Sequence, residues 1–120
     1  MEEGEVKQQE KKQVVKKTDW NKNKFGTWWK NEQATFKNGK EEIQVWTEGP
    51  FRIKGNEAGK LQPGTTINYD EVMLQDGHVW VGYDSFEGER LYLPVREWNS
   101  VAPPNHGLDE LWGTINCVKI

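Results

Sequence analysis

The sequence predicts an all-β domain, a small β-barrel preceded by a charged tail. Three observations carry that expectation. From Asp19 onward the text reads as short apolar stretches separated by Gly, Pro, Asn and Asp. No segment keeps a helical apolar period over three turns. Only 34% of the residues are hydrophobic, yet there are seven Trp, three Tyr and four Phe. Large rings bury roughly 150–250 Å² each, so a few can stabilise a small β core with little Leu and Ile. The remainder belong on the surface, where they mark a binding face.

Residues 1–18 form the tail or linker. Met1 to Lys17 holds four acidic and five basic side chains and no aromatic residue, with Val14 and Val15 as an adjacent apolar pair. Such a segment is expected to be disordered or weakly helical, having little to pack on. Residues 19–120 form the domain proper, a length suited to one modest core. Its strands are expected at Lys24–Lys30, Ala34–Lys37, Glu42–Thr47 and Phe51–Lys54. A polar connection from Gly55 to Gly64 leads to a stronger strand at Thr66–Leu74. Asp76-Gly77 signals a hairpin, followed by His78–Tyr83, a turn at Phe86–Glu89 and a strand at Arg90–Val95. Pro94 near the end of that strand fits an edge position. After a Pro-containing loop at Val101–His106, Trp112–Val118 closes the domain, and closure into a barrel removes exposed edges.

Composition excludes several functions. Net charge is −3 and no dense Lys/Arg patch is present, which argues against nucleic acid. A single cysteine, Cys117, leaves no internal disulfide, and His78 and His106 lack metal-ligand spacing, so no cofactor is expected. No apolar run reaches the roughly 18–20 residues of a membrane span, nor does the charged N-terminus resemble a secretory signal. The expectation is a chain soluble in the cytoplasm where it is made. Catalysis is not expected either. A Cys/His pair or zinc cluster is not visible, and Asp70 and Glu71, adjacent on a strand, are expected to face opposite sides rather than to act as a convergent acid pair.

Two stretches suggest a ligand groove. Strand alternation would put Asn23, Phe25, Thr27 and Trp29 on one face, a mixture of amide, hydroxyl and rings suited to stacking and hydrogen bonding, with Trp28 on the other. In the Thr66–Tyr83 hairpin, Val72 and Leu74 facing the core would turn Glu71 and Met73 outward beside Tyr69. Glu71 would then accept charge-strengthened hydrogen bonds. By the same alternation Leu91 and Leu93 point in and Tyr92 points out.

Six ordered segments, Lys24-Phe-Gly-Thr27, Gly49-Pro-Phe-Arg52, Tyr69-Asp-Glu-Val-Met73, Gln75-Asp-Gly-His-Val-Trp-Val-Gly-Tyr83, Leu91-Tyr-Leu-Pro-Val-Arg96 and Leu111-Trp-Gly-Thr-Ile115, resemble the bacterial SH3-like cell-wall-targeting domains of lysostaphin-type hydrolases and Gram-positive phage endolysins. The resemblance implies an SH3-like barrel that binds the peptide cross-bridge of peptidoglycan and attaches a bacteriolytic enzyme to the wall. It implies ligand contacts from Asn23, Phe25, Thr27, Trp29, Glu71 and Met73, completed by Ile43, Tyr92 and Trp112. Phe25 and Trp29 stand where the lysostaphin-like pattern has tyrosines. The implied partners are a peptidoglycan cross-bridge and the catalytic domain of a hydrolase. Met1 directly before the linker adds the reading of a separate subunit that assembles with a full-length enzyme or with copies of itself. The competing reading is a proline-rich-peptide receptor of the eukaryotic SH3 type, which also uses an aromatic groove.

Overall fold

A computed structural model describes residues 19–117, and the expected tail at residues 1–18 lies outside the described residues. Among the described residues, eight antiparallel strands follow one another without a helix: β1 (Asn21–Lys22), β2 (Trp28–Asn38), β3 (Ile43–Trp46), β4 (Glu57–Leu61), β5 (Thr66–Gln75), β6 (His78–Asp84), β7 (Arg90–Glu97) and β8 (Gly113–Cys117). They form one sheet in the order β1-β2-β5-β6-β7-β3-β4, with β8 paired to β2. The expected all-β, SH3-like architecture is what the chain adopts.

Strand alternation divides the sheet into two faces. Phe36, Val72, Leu74, Val79, Val81, Leu93 and Val95 point to the inner face and make one core with Ala34, Val45 and Leu91. Trp28 packs against that core, and Leu91 and Leu93 are buried as alternation requires. Tyr69 differs from expectation. It joins the core, and its hydroxyl donates to Glu32 Oε2 at 2.6 Å. The pairing of β2 with β5 is irregular in this stretch, with a register shift between Asn31, opposite Glu71, and Ala34, opposite Tyr69.

Boundaries moved where pairing overrode local pattern. The two expected strands at Lys24–Lys30 and Ala34–Lys37 are one strand that begins only at Trp28. Before it, the Asn23 carboxamide accepts from the amides of Phe25 and Thr27, at 2.9 and 3.0 Å, and Gly26 takes a left-handed φ of 81°. This is an Asx turn, which holds an arm rather than a strand. Phe51–Lys54 is a loop, and β4 occupies part of the expected connection at Gly55–Gly64. The Asp76-Gly77 hairpin is as expected, with φ of 53° and 68° at its two central residues, the pattern of a type I′ turn.

Candidate functional site

The outer face of β5, β6, β7 and β3 carries the candidate groove. Three cross-strand rows are fixed by register. Glu71 pairs with Gly82, Gly82 with Tyr92, and Tyr92 with Trp46. Alongside, Trp29 pairs with Met73, Met73 with Trp80 and Trp80 with Pro94. The third row starts with Gln75 opposite His78. Aromatic, thioether and carboxylate groups are thereby gathered on one surface by hydrogen-bonded strands, not by flexible loops.

The Asn23–Thr27 arm borders this face and is held there by Gln75. The Gln75 side-chain nitrogen donates to Thr27 Oγ1 at 2.8 Å and to the Phe25 carbonyl at 3.3 Å, while its oxygen accepts from the Asp76 amide. Phe25 is left 66% exposed at the tip of the arm. Trp29 is half-buried on the neighbouring strand. Thr27 and Met73 are buried, so Thr27 ties the arm down and Met73 forms the floor.

Gly82 leaves room at the centre of the floor. A Cβ there would meet an Arg90 guanidinium nitrogen at 2.9 Å, the Met73 methyl at 3.1 Å and Glu71 Oε1 at 3.2 Å. With no side chain at Gly82, the ends of these three flexible side chains can lie over its backbone; a Cβ would push them aside. Arg90 donates to Asp70 at 2.6 Å, to Glu71 at 3.0 Å and to Asp84 at 3.2 Å. Asp70 and Glu71 were expected on opposite sides of the strand; instead one guanidinium gathers both carboxylates. The Asp70 bond above all, then those to Glu71 and Asp84, holds Arg90 charged against the cost of its partial burial. Burial pushes the Tyr92 phenol up, with Arg90 pulling it partly back. The phenol is therefore protonated at neutral pH and can donate a hydrogen bond.

Trp80 is fully buried although register puts it on the outer face, and its indole donates to the Gln75 carbonyl at 2.8 Å. The loop 47–56 that follows β3 reaches the neighbouring β5–β6 turn. Arg52 in that loop donates to Asp76 from its backbone amide at 3.1 Å and its guanidinium at 2.9 Å. These bonds hold the Asp76 carboxyl below its ordinary value.

Two expected contacts lie elsewhere. Ile43 is buried and belongs to the inner core, because Ile43 and Val45 share a face and Gln44 and Trp46 take the other. Trp112 is 38% exposed beside His78, at 5.8 Å between ring centroids, across a cleft from β3. The expected site thus resolves into a groove bordered by Asn23, Phe25, Trp29, Glu71, Met73 and Tyr92, and a neighbouring cleft that holds Trp112. Sequence reading missed Trp46, Gln75, Gly82 and Arg90. Trp46 was available from alternation once Val45 was placed inward, whereas the others depend on partners distant in sequence. Among the described residues no cluster of His, Cys, Asp or Glu could hold a metal ion.

A small β domain whose outer sheet face presents rings and a carboxylate around a shallow floor is a binding module. The chain belongs to the bacterial SH3 domain family, whose model matches residues 28–95, and this settles the choice against the eukaryotic SH3 type. It is 51% identical over 98 residues to lysostaphin of Staphylococcus simulans, covering 82% of this chain and 19% of that protein. It is 49% identical over 112 residues to endolysin 2638A of a Staphylococcus phage, covering 92% and 22% respectively. The crystal structure of the cell wall targeting domain of the peptidoglycan hydrolase ALE-1, from Staphylococcus capitis, superposes with a TM-score of 0.72 at 48% identity, over 81% of this chain and 93% of that one. The chain spans about a fifth of the length of the curated relatives it matches.

Proposed function

We propose that this domain is a non-catalytic wall-anchoring module that binds the peptide cross-bridge of Gram-positive peptidoglycan and holds a bacteriolytic enzyme at the cell wall. The observation that carries the reading is the convergence of Trp29, Met73, Glu71 and Tyr92 on one rigid sheet face, in a chain about half identical to wall-targeting relatives. A cross-bridge of glycine or alanine offers amides and carbonyls but almost no side chain. Recognition must then use ring faces that admit a thin chain and polar groups that meet its backbone. Trp29 and Phe25 supply the rings. Glu71 keeps one carboxylate oxygen beyond the one facing Arg90, and Tyr92 stands across Gly82 from it in the strand register. Phe25 and Trp29 have no phenolic hydroxyl, so the arm contributes stacking more than hydrogen bonding, and alanine-containing bridges fit that surface as well as pure glycine.

Co-sedimentation with purified walls from strains bearing glycine, alanine and mixed cross-bridges tests this reading. Binding to at least one wall type is expected. Trp29→Ala and Glu71→Ala should each weaken it by roughly tenfold or more, as groove anchors do, with circular dichroism unchanged. Failure to sediment with any of the three walls rejects the function, and wild-type binding by both variants rejects the groove.

A further inference from the structure

Arg90 opens β7, and register sets it directly opposite Asp84 on β6. Its guanidinium also reaches Asp70 and Glu71 on β5, the strand beyond β6. Nη1 donates to Asp70 Oδ2 at 3.3 Å and to Asp84 Oδ1 at 3.2 Å, while Nη2 donates to Asp70 Oδ1 at 2.6 Å and to Glu71 Oε1 at 3.0 Å. Each Nη carries two hydrogens, so all four are taken by carboxylates of the domain itself. None remains for a ligand acceptor. The paired bonds to Asp70 fix the plane of the guanidinium, Asp84 holds its Nη1 side, and Glu71 Oε1 takes the remaining Nη2 hydrogen.

A glutamate on an outer sheet face ordinarily samples several rotamers, and settling into one costs entropy when a ligand arrives. Glu71 has already settled. We infer that Arg90 is a positioning residue of the groove: by holding Oε1 it keeps Glu71 in one rotamer, with Oε2 as the acceptor offered to N–H groups of the cross-bridge, and it touches no ligand itself. This role rests on the wall-binding reading. Three carboxylates around one cation leave the cluster net negative, which suits N–H donors and disfavours a carboxylate of the ligand. A lysine ammonium brings the same charge, but as a point charge it cannot hold the fork to Asp70 and the bond to Glu71 in one plane. All four side chains are partly exposed, a setting in which ion pairs contribute little to stability. The arrangement therefore matters to binding more than to folding.

Double-mutant cycles on wall binding separate positioning from contact. Arg90→Lys should weaken binding roughly fivefold or more in the native background, and less than about twofold in Glu71→Ala, where nothing is left to position. Asp70→Asn keeps Arg90 and Glu71 but loosens the fork; it should show the same dependence on Glu71 at smaller size, and it carries the test should Arg90→Lys unfold. Thermal unfolding of each variant is the control for the fold. A second readout needs no wall. With ¹³C-labelled glutamate, relaxation at Glu71 Cγ should report rotamer averaging in Arg90→Lys and Asp70→Asn that the native domain lacks, while the methyl groups of Val72 and Val81 keep their native values. Equal losses of binding with and without Glu71 would make Arg90 a ligand contact or a prop of the fold and overturn the proposal. Native rigidity of Glu71 in both variants would overturn it whether or not walls are bound. A native domain that sediments with no wall, yet whose Glu71 loosens in the variants, sinks the wall-binding reading and leaves Arg90 as the group that holds Glu71.

Discussion

His106 has an environment that makes a single residue pH-sensitive. Its ring sits edge-on to Trp20, its Nδ1 is buried with no hydrogen-bond partner, and Lys30 stands over the other ring with its ammonium 5.0 Å from the Trp20 centroid. Burial first, and Lys30 second, lower its pKa from 6.5. The folded domain thus prefers neutral imidazole, while the unfolded chain takes up a proton at the ordinary value. Stability from this group is fully present above about pH 6.5 and declines as pH falls through that value towards the lower folded pKa. Urea denaturation from pH 7.5 to 5 should show a midpoint falling below about pH 6.5, and His106→Phe should flatten that part of the profile. An identical slope in the variant would show that other groups set it. Asp76 has the opposite starting charge but the same direction. Paired with Arg52, it stabilises above its unfolded value near 3.8 and stops doing so as the carboxyl protonates below that.

The arm from Asn23 to Thr27 depends on one strand residue for its position. Gln75 spends both ends of its amide on the arm and on the β5–β6 turn, and each such bond contributes about 0.5–1.5 kcal/mol. Core packing involves none of them. Gln75→Ala should therefore lower wall binding several-fold by releasing Phe25 from the edge of the groove, while thermal stability falls by only a few degrees. Amide exchange should quicken at Thr27 and not at Leu74. A binding loss matched by global unfolding would place Gln75 in the fold instead. The same arm shows where sequence reading works and where it stops. Hairpin β5–β6 and strand β7 were legible because Val72, Leu74, Val79, Val81, Leu91 and Leu93 alternate cleanly and Asp76-Gly77 sets the turn. Lys24-Phe25 alternates equally well, but the Asn23 carboxamide captures two backbone amides first and the chain turns. Phe51-Arg-Ile-Lys54 alternates too, yet Arg52 is drawn to Asp76 and Ile53 stays 52% exposed. Conversely β4 has no alternating signal, and Gly59 with φ of 96° argues against a strand; pairing with β3 creates it.

At the scale of the whole molecule the resemblance carried more than local pattern could. Six ordered segments gave the SH3-like fold and grouped Trp29, Glu71, Met73 and Tyr92, residues of three strands that no periodicity links. What remained hidden were the pairings that depend on closure of the sheet: Arg90 reaching Asp70 and Glu71, and Gly82 making room for it. The resulting groove is open and shallow, and a thin peptide buries little area in it, so a single domain should bind a soluble cross-bridge peptide only in the micromolar range or weaker. A wall presents the same peptide at many nearby sites. Two domains joined by a flexible linker should then gain roughly 10²–10⁴ in retention on walls, provided the linker spans two sites, and nothing on a soluble monovalent peptide. Trp29→Ala in one copy should return the tandem to single-domain retention, because the second attachment is lost while mass and charge hardly change. Measuring dissociation from immobilised walls with a series of linker lengths checks this. A tandem that leaves the wall as fast as the single domain at every length would mean that recognition uses sparse sites and not the repeating bridge.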